Sequence, residues 1–145
     1  MRLCVLDSSF ALAWVFEDEV EPAAVRLAER LTAGDSVVVP AVLWSLEIRN
    51  ALRSAVRRKR LSSTRAEQQR MALDSVPRVQ VPCPHGLGDE VDRLILAHDL
   101  TSYDAAYLAV AIRHSLPLAT LDQDLEDAAL EEGVASFRLS LRGGR

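Results

Sequence analysis

Apolar residues in this chain follow two rhythms. Short unbroken runs, such as Leu3-Cys-Val-Leu6, Val37-Val-Val39 and Leu118-Ala119, are separated by longer stretches in which apolar positions recur every three or four residues. Unbroken runs of this length are the mark of strands buried on both faces, and the three-to-four spacing is that of helices packed along one side. The pattern predicts strands at Arg2–Leu6, Ser36–Val39, Arg78–Val81, Pro117–Leu121 and Val134–Leu139. It predicts helices through Ala11–Phe16 (capped by Ser8 or Ser9), from Pro22 through Leu31, and over Ala41–Lys59, Ser63–Ser75, Asp89–Asp99, Tyr103–His114 and Asp122–Glu132. Gly34 and Gly133 stop helices, Pro22 suits a first helical turn, and Pro40, Pro82 and Pro84 close strands.

Strands alternating with helices imply a parallel sheet covered on both faces. In doubly wound sheets, ligands bind beyond the carboxyl ends of the strands, where the strand order reverses. Polar residues directly after strands therefore carry the most information. Asp7 follows the first strand and Asp122 the fourth.

Composition narrows the class. The 145 residues suit one domain, expected to run over 1–141 with a flexible tail at 142–145, and 49% apolar content supports an unstapled core. The net charge of −4 argues against a coat of positive charge, although a local basic face stays open. Cys4 and Cys83 form no CxxC pair, and His85, His98 and His114 are scattered, so neither a disulfide scaffold nor structural zinc is expected. The apolar start has the flavour of a signal peptide, but Asp7 interrupts it and no small-x-small site follows; with no membrane-length apolar run, a cytoplasmic protein is expected. Nucleotide-binding glycine motifs and a GxSxG elbow are absent. A phosphotransfer or receiver domain built on Asp7 would need a second nearby acid and a late lysine, whereas Ser9 stands near Asp7 and the only lysine is Lys59. The aromatic content of 5% fits a stacking-based single-strand binder poorly, and Trp14 and Trp44 read as core or interface anchors.

Four acids stand beside apolar sequence: Asp7, Glu47, Asp104 and Asp122. Singly each has an ordinary reading. Asp7 and Asp122 could cap helices, Glu47 could be solvated, and Thr101-Ser-Tyr-Asp104 matches a capping box. Together they suit a site. At about 100° per residue, Glu47, Asn50 and Ser54 share one stripe of their helix, bordering the apolar face of Ile48, Ala51, Leu52, Ala55 and Val56. Arg49, Arg53, Arg57 and Arg60 form a third stripe: a solvated basic face, a partner-binding face, or a grip on backbone phosphates. Clustered carboxylates with no well-supported nucleophile point to hard divalent cations and metal-assisted phosphoryl chemistry.

Four segments carry a resemblance: Val5-Leu-Asp7-Ser-Ser9, Glu47-Ile-Arg-Asn50-Ala-Leu52, Leu100-Thr-Ser-Tyr-Asp104-Ala-Ala-Tyr107-Leu-Ala109 and Leu118-Ala-Thr-Leu-Asp122. In order and spacing they resemble the acidic motifs of the PIN domain, in particular the VapC toxin branch of VapBC toxin–antitoxin modules. The resemblance implies an α/β/α sandwich with a five-stranded parallel sheet. It also implies Mg2+- or Mn2+-dependent cleavage of RNA leaving 5′-phosphate and 3′-hydroxyl ends, homodimerisation, and neutralisation by a VapB antitoxin. On this match Asp7, Glu47, Asp104 and Asp122 bind metal. Ser8 or Ser9 and Thr120 orient the acids or their waters, and Asn50 supports them. Asp124 is either a further ligand or an ordinary first-turn acid. A dimer contact is expected on apolar helix surface around Trp14 or Trp44. Two other readings share the fold: a non-catalytic RNA- or protein-binding module, and a processing nuclease without an antitoxin.

Overall fold

A computed structural model describes residues 1–16, 18, 21–82 and 88–141. The expected tail at 142–145, Cys83, Pro84 and His85 lie outside the described residues. Four strands, β1 (Arg2–Leu6), β2 (Ser36–Pro40), β3 (Arg78–Val81) and β4 (Leu118–Ala119), form one parallel sheet in the order β3-β2-β1-β4. The inner strands β1 and β2 are buried at all but their first residue, which is why both are unbroken apolar runs. Val5 pairs with Val38 on one side and Leu118 on the other, and Val37 to Pro40 pair with Arg78 to Val81.

Among the described residues, six helices lie between the strands, α1 (Ser8–Leu12), α2 (Pro22–Thr32), α3 (Leu43–Arg57), α4 (Ser63–Asp74), α5 (Gly88–His98) and α6 (Ser102–His114), and two follow β4, α7 (Gln123–Glu131) and α8 (Phe137–Ser140). The steps β1 to β2 and β2 to β3 move one way across the sheet, and the step β3 to β4 moves back past both. Right-handed crossovers then put α1–α4 on one face and α5–α7 on the other. The packing divides the same way, α1 with α3 and α3 with α4, against α5 with α6 and α6 with α7. α6 is the central helix, packed on β1, β2 and β4 with Ala105 to Ala111 all buried. The small alanines let it lie close to the sheet. The order reverses between β1 and β4, so the topological switch point lies directly above Asp7.

The sheet has four strands, not the five expected. Val134–Leu139 touches β4 through a single parallel bridge, Leu118 to Ser136, supported by the Leu118 N–H donating to the Ala135 carbonyl at 2.9 Å. After that the chain turns into α8. Ser136 causes the turn: its Oγ accepts from the Leu139 N–H at 3.2 Å and donates to Glu126 at 2.7 Å. Arg138 pairs with the same Glu126, a carboxylate only 3% exposed. A buried acid on α7 thus draws the segment out of strand geometry. Helix ends also shift. α1 stops at Leu12 rather than Phe16, and α3 spans Leu43–Arg57 rather than Ala41–Lys59. Trp44 is fully buried, with Arg78 over its ring at 5.1 Å, so it is a core residue and not a dimer anchor. Trp14 is half-buried, its Nε1 donating to the Ala24 carbonyl at 2.8 Å. Burial pushes the Cys4 thiol up to about 12, leaving it inert. Among the described residues, no helix is long and apolar enough to cross a membrane.

Removing one partner of a buried ion pair strands the other charge. Arg138→Ala should therefore lower stability by about 3 kcal/mol in urea unfolding. A loss below ~1 kcal/mol would mean that the pair behaves as a surface contact.

Candidate active site

Asp7 occupies the N-cap position of α1, yet its side chain makes no capping bond. Its carboxylate is 3% exposed and turned into the switch point. Its backbone N–H donates to the Ala119 carbonyl at 3.0 Å, which fixes it against β4. Two hydroxyls donate to the same oxygen, Oδ2: Ser9 Oγ at 2.6 Å and Thr120 Oγ1 at 2.8 Å. Each hydroxyl is oriented by a backbone amide, Leu121 N–H donating to Ser9 Oγ at 3.0 Å and Asp122 N–H to Thr120 Oγ1 at 3.0 Å. A hydroxyl carries one proton. With both protons committed to Oδ2, the 3.3 Å approach of Ser9 Oγ to Thr120 Oγ1 is a contact and not a bond. The outcome is an aspartate whose Oδ2 is held by two hydroxyls, with the Ser8 backbone adding to them.

Glu47 comes from α3. The turn before α3 sets Val42 at φ 67° and ψ −49°, an expensive conformation for a β-branched residue, and the Val42 carbonyl accepts from the Leu46 N–H at 2.9 Å. Glu47 is half-buried and accepts a 2.6 Å hydrogen bond from the hydroxyl of Tyr107, a fully buried residue on α6. The Ser8 hydroxyl, also buried, lies close enough to favour the charged form of Glu47. The sequence reading missed the role of Tyr107. The available signal was its place three residues after Asp104, on the same helix face, in a helix that is otherwise apolar around it.

Asp104 lies in the first turn of α6, where Thr101 caps the helix by accepting from the Asp104 N–H at 3.2 Å. Asp122 caps α7 with one oxygen, Oδ1 accepting from Leu125 N–H at 3.0 Å. The ordinary capping reading therefore holds for one oxygen of Asp122 and fails for Asp7. Asp124 is exposed in the first turn of α7, close enough to Asp104 to raise its pKa. Asn50 lies on the exposed part of α3. In the arginine stripe, Arg49 is held by Asp74 of α4 through two hydrogen bonds of 2.8 and 3.3 Å. Arg60 pairs with Asp18 and stacks over Phe16 at 4.0 Å. Arg53 and Arg57 are exposed beside a groove between α3 and α4, floored by Leu52, Val56 and Ala66.

The electrostatics show that the four acids share one field. Asp7 is raised above the usual carboxylate range by burial; the hydroxyls of Ser9 and Thr120 and the Ser8 backbone pull it back, and Asp122 pushes it up. Glu47 is raised by burial, opposed by the Tyr107 hydrogen bond, and raised further by Asp7 and Asp104. Asp104 is raised to about 6 by burial and by the charges of Asp7 and Asp122. Like charges brought together in a half-buried cleft, with no cationic side chain among these influences, make a cation-seeking cluster.

A family model, the PIN domain, matches residues 4–131. The chain belongs to the PIN-domain family. No curated protein matches the sequence. Among solved structures, PAE2754 from Pyrobaculum aerophilum is similar at 22% identity and a TM-score of 0.68, over 97% of this chain and 93% of that one. FitAcB from Neisseria gonorrhoeae is similar at 17% identity and a TM-score of 0.62, over 92% of this chain and 95% of that one. A toxin–antitoxin complex from Klebsiella pneumoniae is similar at 17% identity and a TM-score of 0.60, over 92% and 97%. At these identities the likeness establishes the shared fold.

The donor chemistry of this PIN domain suits a hard divalent ion. Its clustered ligands are all carboxylates, without thiolate or imidazole. Among the described residues, no three His, Cys, Asp or Glu side chains are gathered tightly enough to hold an ion by themselves. A cluster so spaced matches an ion that keeps part of its water shell and takes oxygens from a phosphate.

An acid with a higher pKa folded than unfolded holds its proton better in the native state. The stability that Asp104 contributes is therefore present below its unfolded value and is lost as pH rises through about 6. In metal-free protein at neutral pH, Asp104→Asn should be more stable than wild type by about 1 kcal/mol after allowance for solvent screening. The two should converge near pH ~4. Thermal melting across this range checks it; a variant that melts lower at neutral pH contradicts the repulsion.

Proposed function

We propose that this PIN domain is a divalent-metal-dependent endoribonuclease of the VapC toxin type, a cytoplasmic homodimer restrained by a VapB-type antitoxin. The observation that carries the reading is the convergence of Asp7, Glu47, Asp104 and Asp122 at the switch point, where burial and mutual repulsion raise the pKa values of Asp7, Glu47 and Asp104. The toxin–antitoxin assignment is supported by the fold neighbours, two of which are described as a toxin–antitoxin complex from Klebsiella pneumoniae and VapBC2 from Rickettsia felis bound to a promoter DNA fragment.

Asp7, Glu47, Asp104 and Asp122 would hold Mg2+ or Mn2+ together with water and substrate oxygens, and the ion would supply charge neutralisation for the phosphodiester and a lowered pKa for the attacking water. The chain's own groups supply position. Ser9 and Thr120 lock the Asp7 carboxylate in place through Oδ2. Tyr107 and Ser8 hold Glu47 inward from α3. The cap on Asp122 holds one of its oxygens, Asp124 adds its charge beside Asp104, and Asn50 supports Glu47 from the same helix stripe. Water attacks the phosphorus directly, with no covalent enzyme intermediate, leaving 5′-phosphate and 3′-hydroxyl ends. Arg53 and Arg57 engage RNA phosphates or antitoxin carboxylates. Arg49 and Arg60 join them by exchanging exposed ion pairs that are individually worth little.

Cellular RNA incubated with the protein and magnesium should be cut, with chelator abolishing cleavage and Asp7→Asn lowering it by roughly a hundredfold or more. End sequencing of the products tests the ends. Equal cleavage in excess chelator would overturn the metal dependence, and binding without cleavage would favour a non-catalytic module. For the arginines, Arg53→Ala should flatten the salt dependence of RNA binding by about one unit of slope if phosphate is the partner. If the antitoxin is the partner, cleavage stays normal and inhibition weakens. A variant unchanged in both assays assigns Arg53 to solvent.

A further inference from the structure

Of the chain's two Trp, two Tyr and three Phe, Tyr103 alone is exposed, at 60%. The other six lie buried or half-buried. Tyr103 is also the residue next to Asp104, in the first turn of α6. One turn later, on the same helix face, Tyr107 donates its hydroxyl to Glu47 of α3. The face of α6 that bears Tyr103 is thus the face that meets the α3 side of the acidic cluster. α3 offers a matching feature. Leu46, the neighbour of Glu47, is 58% exposed, and Val42, one turn earlier, is 64% exposed. Large uncovered apolar side chains therefore adjoin both Glu47 and Asp104.

We propose that Tyr103 is a stacking platform for a nucleobase next to the scissile phosphate, with Leu46 as the apolar wall beside it. The inference rests on the nuclease reading above and deepens it by naming how the substrate is held. The physical need is clear from the charges. Four converging acids repel a polyanion, and a cluster of this kind gives little affinity through the phosphates nearest to it. Stacking on an aromatic face is indifferent to that field and tolerant of sequence, because every base has a π-face. It requires a base free of its own stack, so the site selects single-stranded RNA, loops and bulges over duplex. Tyrosine suits the position, since its ring presents an apolar face while the hydroxyl stays in water.

The test uses full-length protein carrying Asp7→Asn, so that RNA is bound and not cut. The probe is a single-stranded RNA oligonucleotide with the fluorescent base 2-aminopurine placed at successive positions. With Tyr103 present, fluorescence should be quenched at one or two adjacent positions. Tyr103→Ala should remove the quenching and weaken binding about five- to thirtyfold, and Tyr103→Phe should keep both. An abasic oligonucleotide of equal charge should bind all three proteins alike. If Tyr103→Ala quenches and binds as before, or loses the abasic strand equally, the proposal is wrong. If it changes the oligomeric state by light scattering and leaves base quenching intact, Tyr103 is a subunit contact instead. If the protein with Tyr103 intact binds no RNA, the nuclease reading falls and the stacking role falls with it.

Discussion

Two hydroxyl protons pointed at one carboxylate oxygen tie the molecule together at the place where its chain order reverses. Thr120 belongs to the end of β4, Ser9 to the first turn of α1, and Asp7 to the end of β1. The bond from Asp7 N–H to the Ala119 carbonyl lies just beneath. Without these links β4 would meet β1 through only two residue pairs, Val5 with Leu118 and Leu6 with Ala119. The same interaction therefore closes the sheet and aims the central acid. A buried carboxylate is costly unless hydrogen-bonded, and here the bonding groups are also the ones that hold the strands in register.

Around that centre, backbone geometry prepares the cluster for negative charge. Asp7 and Asp122 sit at helix N-cap positions, and Asp104 lies in the first turn of α6. Helix N-termini carry partial positive charge that falls off within a turn. It eases the crowding of acids without neutralising it, as the raised pKa values of Asp7, Glu47 and Asp104 show.

The parts of this design visible in the sequence are those governed by local rules. The strand-end position of Asp7 and Asp122 followed from unbroken apolar runs, and the inward reach of Glu47 from a helical wheel. Thr101 caps α6 as its spacing implied. The parts that were hidden depend on partners distant in sequence. Nothing near Arg49 announced Asp74, nor did the surroundings of Arg60 announce Asp18. Val134–Leu139 has strand-like composition, but Glu126 reaches across from α7 to Ser136 and Arg138 and bends it away. Tyr107 looked like one more core aromatic, because only the fold reveals that its hydroxyl meets a carboxylate sixty residues earlier.

The repulsion among the acids also bears on how such a protein changes over generations. A buried residue that packs or bonds well is preserved in part by folding itself. Here the field around Asp104 works against the fold, and relaxing it leaves the core and the sheet untouched. Loss of Asp104, unlike loss of Asp7, meets little structural resistance. Under the proposed reading, Asp104 persists only where the activity it serves is under direct selection.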